Sequence, residues 1–258
     1  ATLRLAKGFF HWLVSRPGFK RVLTYPDVEY FNNTRKAGRV AHEQREIPWP
    51  SVQQAAHAFQ VMPFETEFEK RDKALFAFFM LTAARDGAVA SLKLKHVNVE
   101  LGHVFQDARE VKTKAAKTIH CQFFPVDPCY RECFRDYVTF LREVKLFGPE
   151  DALFPKADVR PVKGQGYTNL GLARTGYANA AKLNAIIRGA FAAVQMPEYT
   201  PHAFRKTIAA LGDQLCRNQT EFKAWSMNMG HDNVATTVNS YLQLTVQGQL
   251  ETIRKMAG

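Results

Sequence analysis

Long apolar runs, low-complexity segments and internal repeats are all absent from this sequence of 258 residues. Without about eighteen consecutive uncharged apolar residues, no segment is long enough to form a transmembrane helix. The apolar stretch at the N-terminus is shorter still and is interrupted by Trp12 and Arg16, which argues against a signal peptide. We therefore expect a globular, cytoplasmic protein with no membrane partner.

Cysteine is also scarce. The four cysteines, Cys121, Cys129, Cys133 and Cys216, form no Cys-x-x-Cys pair, so neither a zinc site nor a disulfide framework is indicated. Cys129 and Cys133 instead have the spacing of one helical face. We expect buried free thiols, and the sequence predicts no metal site and no cofactor.

Acidic residues are outnumbered by basic ones. The 24 Asp and Glu residues stand against 35 Lys and Arg, which gives a formal net charge of +11 and a pI of about 9.6. Such an excess favours a polyanionic partner such as nucleic acid, although charge alone does not separate nucleic acid from a membrane surface. The hydrophobic content of 46% is enough for one large core. The composition therefore predicts a globular protein with a polyanionic partner.

Hydrophobic periodicity predicts a mostly helical chain with a small sheet. Residues 2–15 have the pattern of one amphipathic helix, a polar and basic linker follows, and the main domain starts near Ile47. Short segments rich in Val, Ile, Thr and Phe between residues 96 and 126 predict three strands. Further helices are predicted at 128–147, 178–194, 201–216, 220–229 and 233–245, and a glycine-rich loop at 156–177. The predicted fold class is α+β, mostly α-helical, with a small three-stranded antiparallel sheet.

Cationic and aromatic side chains occur at the ends of several predicted helices. Arg85 follows a long apolar helix, and His202 and Arg205 lie three residues apart at the start of another. His231 follows a glycine at a helix end, and Tyr241 lies ten residues later on the next helix, on the side of its apolar Val234 and Val238. Taken singly, each has a structural explanation: an arginine that caps its own helix, a histidine on a solvated face, or a tyrosine in the core.

A basic segment lies within the predicted sheet. In the stretch VKTKAAKTIH, Lys112 and Lys114 are predicted to share one face of a strand, and Lys117 to follow the turn. By itself, this pattern is typical of a solvated polar turn. Because the segment lies between Arg85 and His202 along the chain, its lysines can also be interpreted as one motif of an ordered set of site residues.

In this order, the five motifs resemble the active-site set of the tyrosine recombinases, the lambda-integrase-like family. That signature has an arginine after an apolar helix, a lysine on a β-hairpin, a His-x-x-Arg, a Gly-His, and a tyrosine about nine residues later. Here the corresponding stretches are TAARDG, KTK, HAFR, MGH and NSY, and the resemblance covers roughly residues 47–250. Two departures are visible. Ala88 stands where the family usually has an acidic residue, and the interval from His231 to Tyr241 is one residue longer than the commonest form.

The resemblance implies a catalytic site made of Arg85, Lys114, His202, Arg205, His231 and Tyr241. The tyrosine would attack phosphorus and form a 3′-phosphotyrosyl ester, so that neither metal nor ATP is needed. The two arginines would hold the non-bridging oxygens, and His231 would donate a hydrogen bond to the same phosphate. Lys114 would protonate the leaving 5′ oxygen, with Lys112 as the second choice, and His202 would exchange the tyrosine proton.

The resemblance also implies partners and domains. The partner would be double-stranded DNA in a bacterial nucleoid. A homotetramer would bind synapsed DNA sites, and a DNA-bending accessory protein would be an additional partner. Residues 1–46 would be the last helix of an N-terminal core-binding domain plus a linker, with more of that domain upstream, and residues 47–258 would be the catalytic domain. Four further cations are expected to meet phosphates outside the site: Lys93, Lys95, Lys163 and Arg174.

Two alternatives to a recombinase remain open. A type IB topoisomerase uses a similar set of side chains, but commonly has lysine at the position of His202. A non-catalytic DNA-binding relative would share the charge and the fold. The presence of His202 favours a recombinase over a topoisomerase, and no member of the expected set is replaced.

Overall fold

A computed structural model of the chain describes residues 2–32, 48–162, 166–241 and 253–254, and within these ranges it leaves out the side chains of residues 2, 162, 240 and 241. The chain divides into two compact units, residues 1–47 and residues 48–258. In the described part of the chain, no helix is both long and apolar enough to cross a membrane.

The first unit contains the helix expected at residues 2–15, observed as α1 (Thr2–Val14), and a short α2 (Tyr25–Val28). A 3₁₀ turn, Glu29–Phe31, follows α2. Two contacts hold this turn against α1. The rings of Phe10 and Phe31 stack at 4.7 Å, and Lys7 forms an ion pair with Glu29 at 3.0 Å.

The second unit is arranged around one buried helix. Here α3 (Val52–Val61) and α4 (Glu67–Thr82) begin with capping boxes, in which Ser51 and Thr66 accept hydrogen bonds from the helix backbone. All residues from 74 to 82 are buried, because this part of α4 is apolar on every face. Phe76 packs edge-on against Phe204 with ring centroids 4.8 Å apart. The buried part of α4 thus leads directly to the short α5 (Asp86–Val89).

The predicted three-stranded antiparallel sheet is confirmed. It consists of β1 (Val97–Asn98), β2 (His103–Gln106) and β3 (Ile119–Gln122), in the order β1-β2-β3. Val104 of β2 pairs with Val97 on one side and with Cys121 on the other. The sheet therefore uses the first and third of the three segments expected to form strands.

The middle segment is not a strand, so the prediction that Lys112 and Lys114 share a strand face is wrong. Residues 107–118 connect β2 to β3 through turns, in which the Val111 N–H donates to the carbonyl of Asp107. A 3₁₀ turn, Lys114–Ala116, follows, and Ala115 and Ala116 have φ values of 58° and 50°. Val111 is the one apolar residue that this segment buries, which is too little to hold a strand against the core.

Five further helices lie in the described part of the second unit: α6 (Pro128–Thr139), α7 (Ala181–Ala192), α8 (Pro201–Leu215), α9 (Gln219–Asn228) and α10 (Val234–Tyr241). They confirm the predicted helices, and α6 continues as a π-helical turn, Phe140–Val144. Residues 242–245, the predicted end of α10, lie outside the described residues.

The predicted glycine-rich loop is a β-hairpin instead. Its strands, β4 (Ala157–Val162) and β5 (Gly166–Leu172), pair in antiparallel fashion, with Pro161 opposite Tyr167. Proline and glycine hide the alternating pattern of these strands in the sequence. Proline is tolerated because both strands of a two-stranded sheet are edges, where an N–H can be missing without breaking a ladder.

Candidate active site

Arg205 lies in the first half of α8 and is only 1% exposed. Its Nη1 donates to the carbonyl of Ala83, and its Nη2 donates to the carbonyl of Met229 at 3.0 Å. These two residues cap the C-termini of α4 and α9, where the helix dipole places partial negative charge. The two helix ends therefore hold the guanidinium in place and offset the cost of burying its charge.

His231 lies in the turn between α9 and α10 and is 4% exposed. Gly230 before it has a φ of 78°, and a Cβ at that position would lie 2.8 Å from Cδ1 of Ile119. The positive φ favours glycine, and a side chain here would also have to displace the end of the Ile119 side chain. The Gly-His pair of the sequence thus brings the imidazole under α8, where its Nε2 lies 2.6 Å from Nη2 of Arg205.

Both histidines of the site lie in a cationic environment. Burial, followed by the charges of Arg205 and Arg85, lowers the pKa of His231 to about 4. Partial desolvation, followed by the charges of Arg205 and Lys206, also lowers the pKa of His202, which lies exposed one turn before Arg205 on α8. Both rings are therefore neutral at neutral pH.

Arg85, Lys114 and Arg205 line one cleft. Arg85 is the N-cap residue of α5, with extended backbone angles, so its half-buried side chain leaves the chain between two helices. Lys114 reaches the same cleft from the connection between β2 and β3. Three cations from distant parts of the sequence are thus brought together, as an anion-binding site requires.

Two neighbouring lysines of the same connection are held elsewhere. Nζ of Lys112 donates to the carbonyl of Ala178 at 3.1 Å, outside the cleft, and Lys117 forms an ion pair with Asp232. The side chain of Tyr241, at the end of α10, lies outside the described residues. The structure therefore brings five of the six expected residues to one region and describes only the backbone of the sixth.

The sequence profile of the phage integrase family matches residues 52–247. The chain belongs to the phage integrase family. No curated protein matches the chain.

Solved recombinases have the same fold. XerA recombinase superposes with a TM-score of 0.56 at 14% identity, and the alignment covers 99% of this chain and 83% of that one. A lambda integrase dimer bound to a core site gives 0.60 at 11% identity, covering 93% and 71%. XerH recombinase bound to a palindromic substrate gives 0.59 at 14% identity, covering 97% and 65%. At such identities the likeness concerns the fold, which is that of tyrosine recombinases.

Part of the site of this phage integrase family member is not evident from its sequence. Thr237 and Ser226 are fully buried and form a hydrogen bond at 2.6 Å, and Thr237 lies 2.8 Å from Nδ1 of His231. The predicted apolar side of α10 is wrong, because Val238 is 41% exposed and the helix buries Thr237 instead. No pattern in the sequence marks either hydroxyl, because the burial of both depends on partners from other segments of the chain.

The cations expected to meet phosphates outside the site are paired with carboxylates. Lys93 and Lys95 both form ion pairs with Glu110 and Glu150 at 2.7–3.2 Å. Arg174 pairs with Asp151. Lys163 lies outside the described residues. Contact of these side chains with phosphate remains a prediction, and DNA would have to compete with these carboxylates.

The cysteines carry no disulfide. Cys121 is buried, and burial raises the pKa of its thiol to about 12, whereas the other three are half-buried. The expectation of free thiols is confirmed, but full burial holds only for Cys121. Among the residues that the structure describes, no three His, Cys, Asp or Glu side chains lie close enough together to bind a metal ion.

We predict that the protein loses stability as the pH falls below about 6.5. The pKa of His231 is about 4 in the folded state and near 6.5 in an unfolded chain, so only the unfolded chain takes up a proton between these values. The expected loss between pH 7.5 and 5 is about 2 kcal/mol for His231, and His202 adds to it in the same direction. Urea unfolding at several pH values measures the effect.

The control for this experiment is a histidine on the surface. His231→Gln should reduce the dependence of stability on pH, whereas a change of the exposed His57 to Gln should leave it as in the wild type. A stability that is constant or rises on acidification would contradict the expected neutral, buried state of His231.

Proposed function

We propose that the chain is a site-specific DNA recombinase that cuts and rejoins DNA through a 3′-phosphotyrosyl intermediate on Tyr241, without metal or ATP. The observation that carries the proposal is the cleft in which Arg85, Lys114 and Arg205 meet, with His231 bound to Arg205. In this proposal residues 47–258 are the catalytic domain, and residues 1–46 are the end of a core-binding domain and a linker.

The cleft suits a phosphodiester under attack. The transition state has extra negative charge on its non-bridging oxygens, and the forked guanidinium groups of Arg85 and Arg205 match these oxygens in sign and geometry. Because Arg205 is already held by two carbonyls, it needs little reorganisation to act. A site that is organised before the charge develops is the main source of catalysis by electrostatic stabilisation.

Proton transfer is assigned to the less buried groups. Lys114, exposed at the mouth of the cleft, would give a proton to the leaving 5′ oxygen. His202 would take the proton of the Tyr241 hydroxyl and return it when the strand is rejoined, which its neutral state allows. His231 would donate a hydrogen bond to the phosphate. The covalent ester keeps the energy of the cut bond for rejoining.

The proposed partner is double-stranded DNA. XerH and lambda integrase, whose fold this chain shares, were solved bound to DNA sites. The net charge of +11 suits a polyanion, since neutralised phosphates release their counterions. We further propose a homotetramer on synapsed sites, with a DNA-bending accessory protein as an additional component.

A covalent-capture assay tests the proposal. The protein is incubated with a pool of nicked suicide duplexes of randomised sequence, and protein–DNA adducts and joined strands are recovered. A recombinase should give both an adduct and strands joined to a second duplex at a selected sequence. Relaxation of supercoiled DNA without joining would indicate a type IB topoisomerase, and binding without any adduct would indicate a non-catalytic relative.

We predict that Lys114→Ala slows cleavage of ordinary DNA by about 10²- to 10⁴-fold, because the leaving oxygen then lacks its proton donor. A 5′-bridging phosphorothiolate should restore the rate, because sulfur leaves without a proton. Single-turnover cleavage of the duplex selected above measures both effects.

Lys112→Ala is the matched control, because Lys112 lies two residues away and donates to Ala178 outside the cleft. It should cost less activity and show no rescue by sulfur. If the phosphorothiolate rescues Lys112→Ala rather than Lys114→Ala, the general acid is Lys112 and the assignment to Lys114 is wrong.

A further inference from the structure

A continuous hydrogen-bonded chain of side chains runs behind the site. It begins at Arg205 on α8, passes through His231 in the turn, and continues to Thr237 on α10 and Ser226 on α9, with separations of 2.6, 2.8 and 2.6 Å. Thr237 and Ser226 are 0% exposed, so bulk water does not replace these hydrogen bonds. The proposed mechanism assigns roles to Arg205 and His231 but none to Thr237 and Ser226.

The chain of hydrogen bonds sets where the imidazole proton lies. A guanidinium only donates, so Nε2 of His231, 2.6 Å from Nη2 of Arg205, must accept. The single proton of the neutral ring is therefore on Nδ1, which donates to Oγ1 of Thr237. Thr237 in turn can donate its own proton to Oγ of Ser226. Each hydrogen bond has one direction, and Thr237 is the member that accepts from the ring.

The hydroxyl of Thr237 can also donate a hydrogen bond to Nδ1 instead of accepting one. When a phosphate oxygen accepts hydrogen bonds from Arg205, Nε2 of His231 must carry a proton in order to donate to that oxygen as well. The ring then loses a proton from Nδ1 to solvent and takes one up from solvent at Nε2, so it stays neutral. Thr237 can donate to the bare Nδ1 while Ser226 donates to Thr237. Neither valine nor alanine could support both states.

Thr237 is also on the helix that carries the proposed nucleophile. It precedes Tyr241 by four residues on α10, which is one helical turn. Its hydroxyl binds both the His231 turn and α9, and so it attaches this helix to the parts of the chain around Arg205. The same group therefore influences the proton of His231 and the position of the tyrosine.

We propose that Thr237, supported by Ser226, is a positioning residue. It accepts the Nδ1 proton of His231 before DNA binds, it donates to Nδ1 once the proton lies on Nε2, and it fixes the helix of Tyr241 relative to the ring. The contribution to cleavage rests on the proposed function, whereas the hydrogen bond from His231 to Thr237 does not.

Two measurements test the proposal. Long-range proton–nitrogen NMR of protein labelled with ¹⁵N-histidine assigns the proton of His231 to Nδ1 or Nε2 in the absence of DNA. Single-turnover cleavage of the duplex selected from the suicide pool gives the rate. The chemical shift and the exchange rate of that proton report its hydrogen bond. Thr237→Val keeps the shape of the side chain and removes the hydroxyl. Because Arg205 still faces Nε2, we expect the proton to stay on Nδ1 but to lose its hydrogen bond, so that its resonance moves upfield and its exchange with water becomes faster. Cleavage should slow by about 10- to 100-fold.

Thr236→Val is the matched control, because Thr236 is exposed on the same helix. This variant and the conservative Thr237→Ser should both keep a hydrogen-bonded Nδ1–H and a rate near that of the wild type. Rescue by serine separates a need for the hydroxyl from a need for bulk. Should Thr237→Val fail to fold, Ser226→Ala, which leaves Thr237 in place, is expected to weaken the hydrogen bond of Nδ1–H and to lower the rate partway.

The outcomes separate the two proposals. An unchanged resonance and exchange rate of the Nδ1 proton in Thr237→Val, or a loss in Thr237→Ser as large as in Thr237→Val, would overturn the role of Thr237. A lost hydrogen bond with an unchanged rate would overturn its contribution to catalysis. A wild-type protein that forms no adduct would overturn the proposed function, and the NMR result would still decide whether Thr237 controls His231.

Discussion

Replacing Tyr241 with phenylalanine is expected to abolish the covalent protein–DNA adduct and to leave DNA binding close to that of the wild type. The change removes only the phenol oxygen, which is the atom that the proposed mechanism bonds to phosphorus. The arginines of the cleft remain and can still bind a phosphate, but they cannot form an ester. Denaturing gels of the capture reaction, together with a DNA-binding assay, measure the two properties.

Other tyrosines provide the controls. Tyr167 is 82% exposed on β5, and Tyr167→Phe should form as much adduct as the wild type. Tyr130 and Tyr199 pack in the core, with ring centroids 4.6 Å from Phe59 and 5.0 Å from Phe191. Peptide mapping of the trapped complex should find DNA on Tyr241. An adduct on another residue would refute this assignment, and a product with a free 3′ hydroxyl would refute the mechanism.

Replacing Arg205 with alanine is expected to have a double effect, on the reaction and on the fold. Loss of a preorganised cation should slow cleavage by about 10²- to 10³-fold. The free energy of unfolding should also fall by about 3 kcal/mol, because the buried carbonyls of Ala83 and Met229 lose their donor. Urea unfolding and single-turnover cleavage by the folded fraction measure these effects separately.

A second buried arginine distinguishes catalysis from stability. Arg71 is 4% exposed, donates to the carbonyl of Pro155 at 3.0 Å and pairs with Asp72 at 2.7 Å, and it is not part of the cleft. Arg71→Lys and Arg205→Lys should both destabilise the protein, because lysine lacks the forked geometry. Only Arg205→Lys should slow cleavage at equal folded fraction. Equal losses of cleavage in both variants would show that Arg205 contributes to stability and not to catalysis.

The sequence alone determined the helical part of the fold and the order of the candidate motifs. Hydrophobic periodicity predicted α1 and the helices from α6 to α10, because a helix that buries one face shows a repeat of 3.6 residues in the chain. The helix signals before Arg85 and at Pro201 also predicted where two of the cations would lie, since a helix end fixes the direction of the chain. Helix periodicity and helix ends are local properties, because they depend on residues that are neighbours in the sequence.

The tertiary structure decided which side chains meet. The spacing of Lys112 and Lys114 could not tell which lysine reaches the cleft, because turns rather than a strand connect β2 to β3. The burial of Arg205 depends on carbonyls 122 and 24 residues away, and no local pattern shows them. On α10, the hydroxyl of Thr237 is buried in place of Val238 because its partners are His231 and Ser226. Hydrogen bonds between distant segments need a folded chain to bring donor and acceptor within about 3 Å, and periodicity carries no record of them.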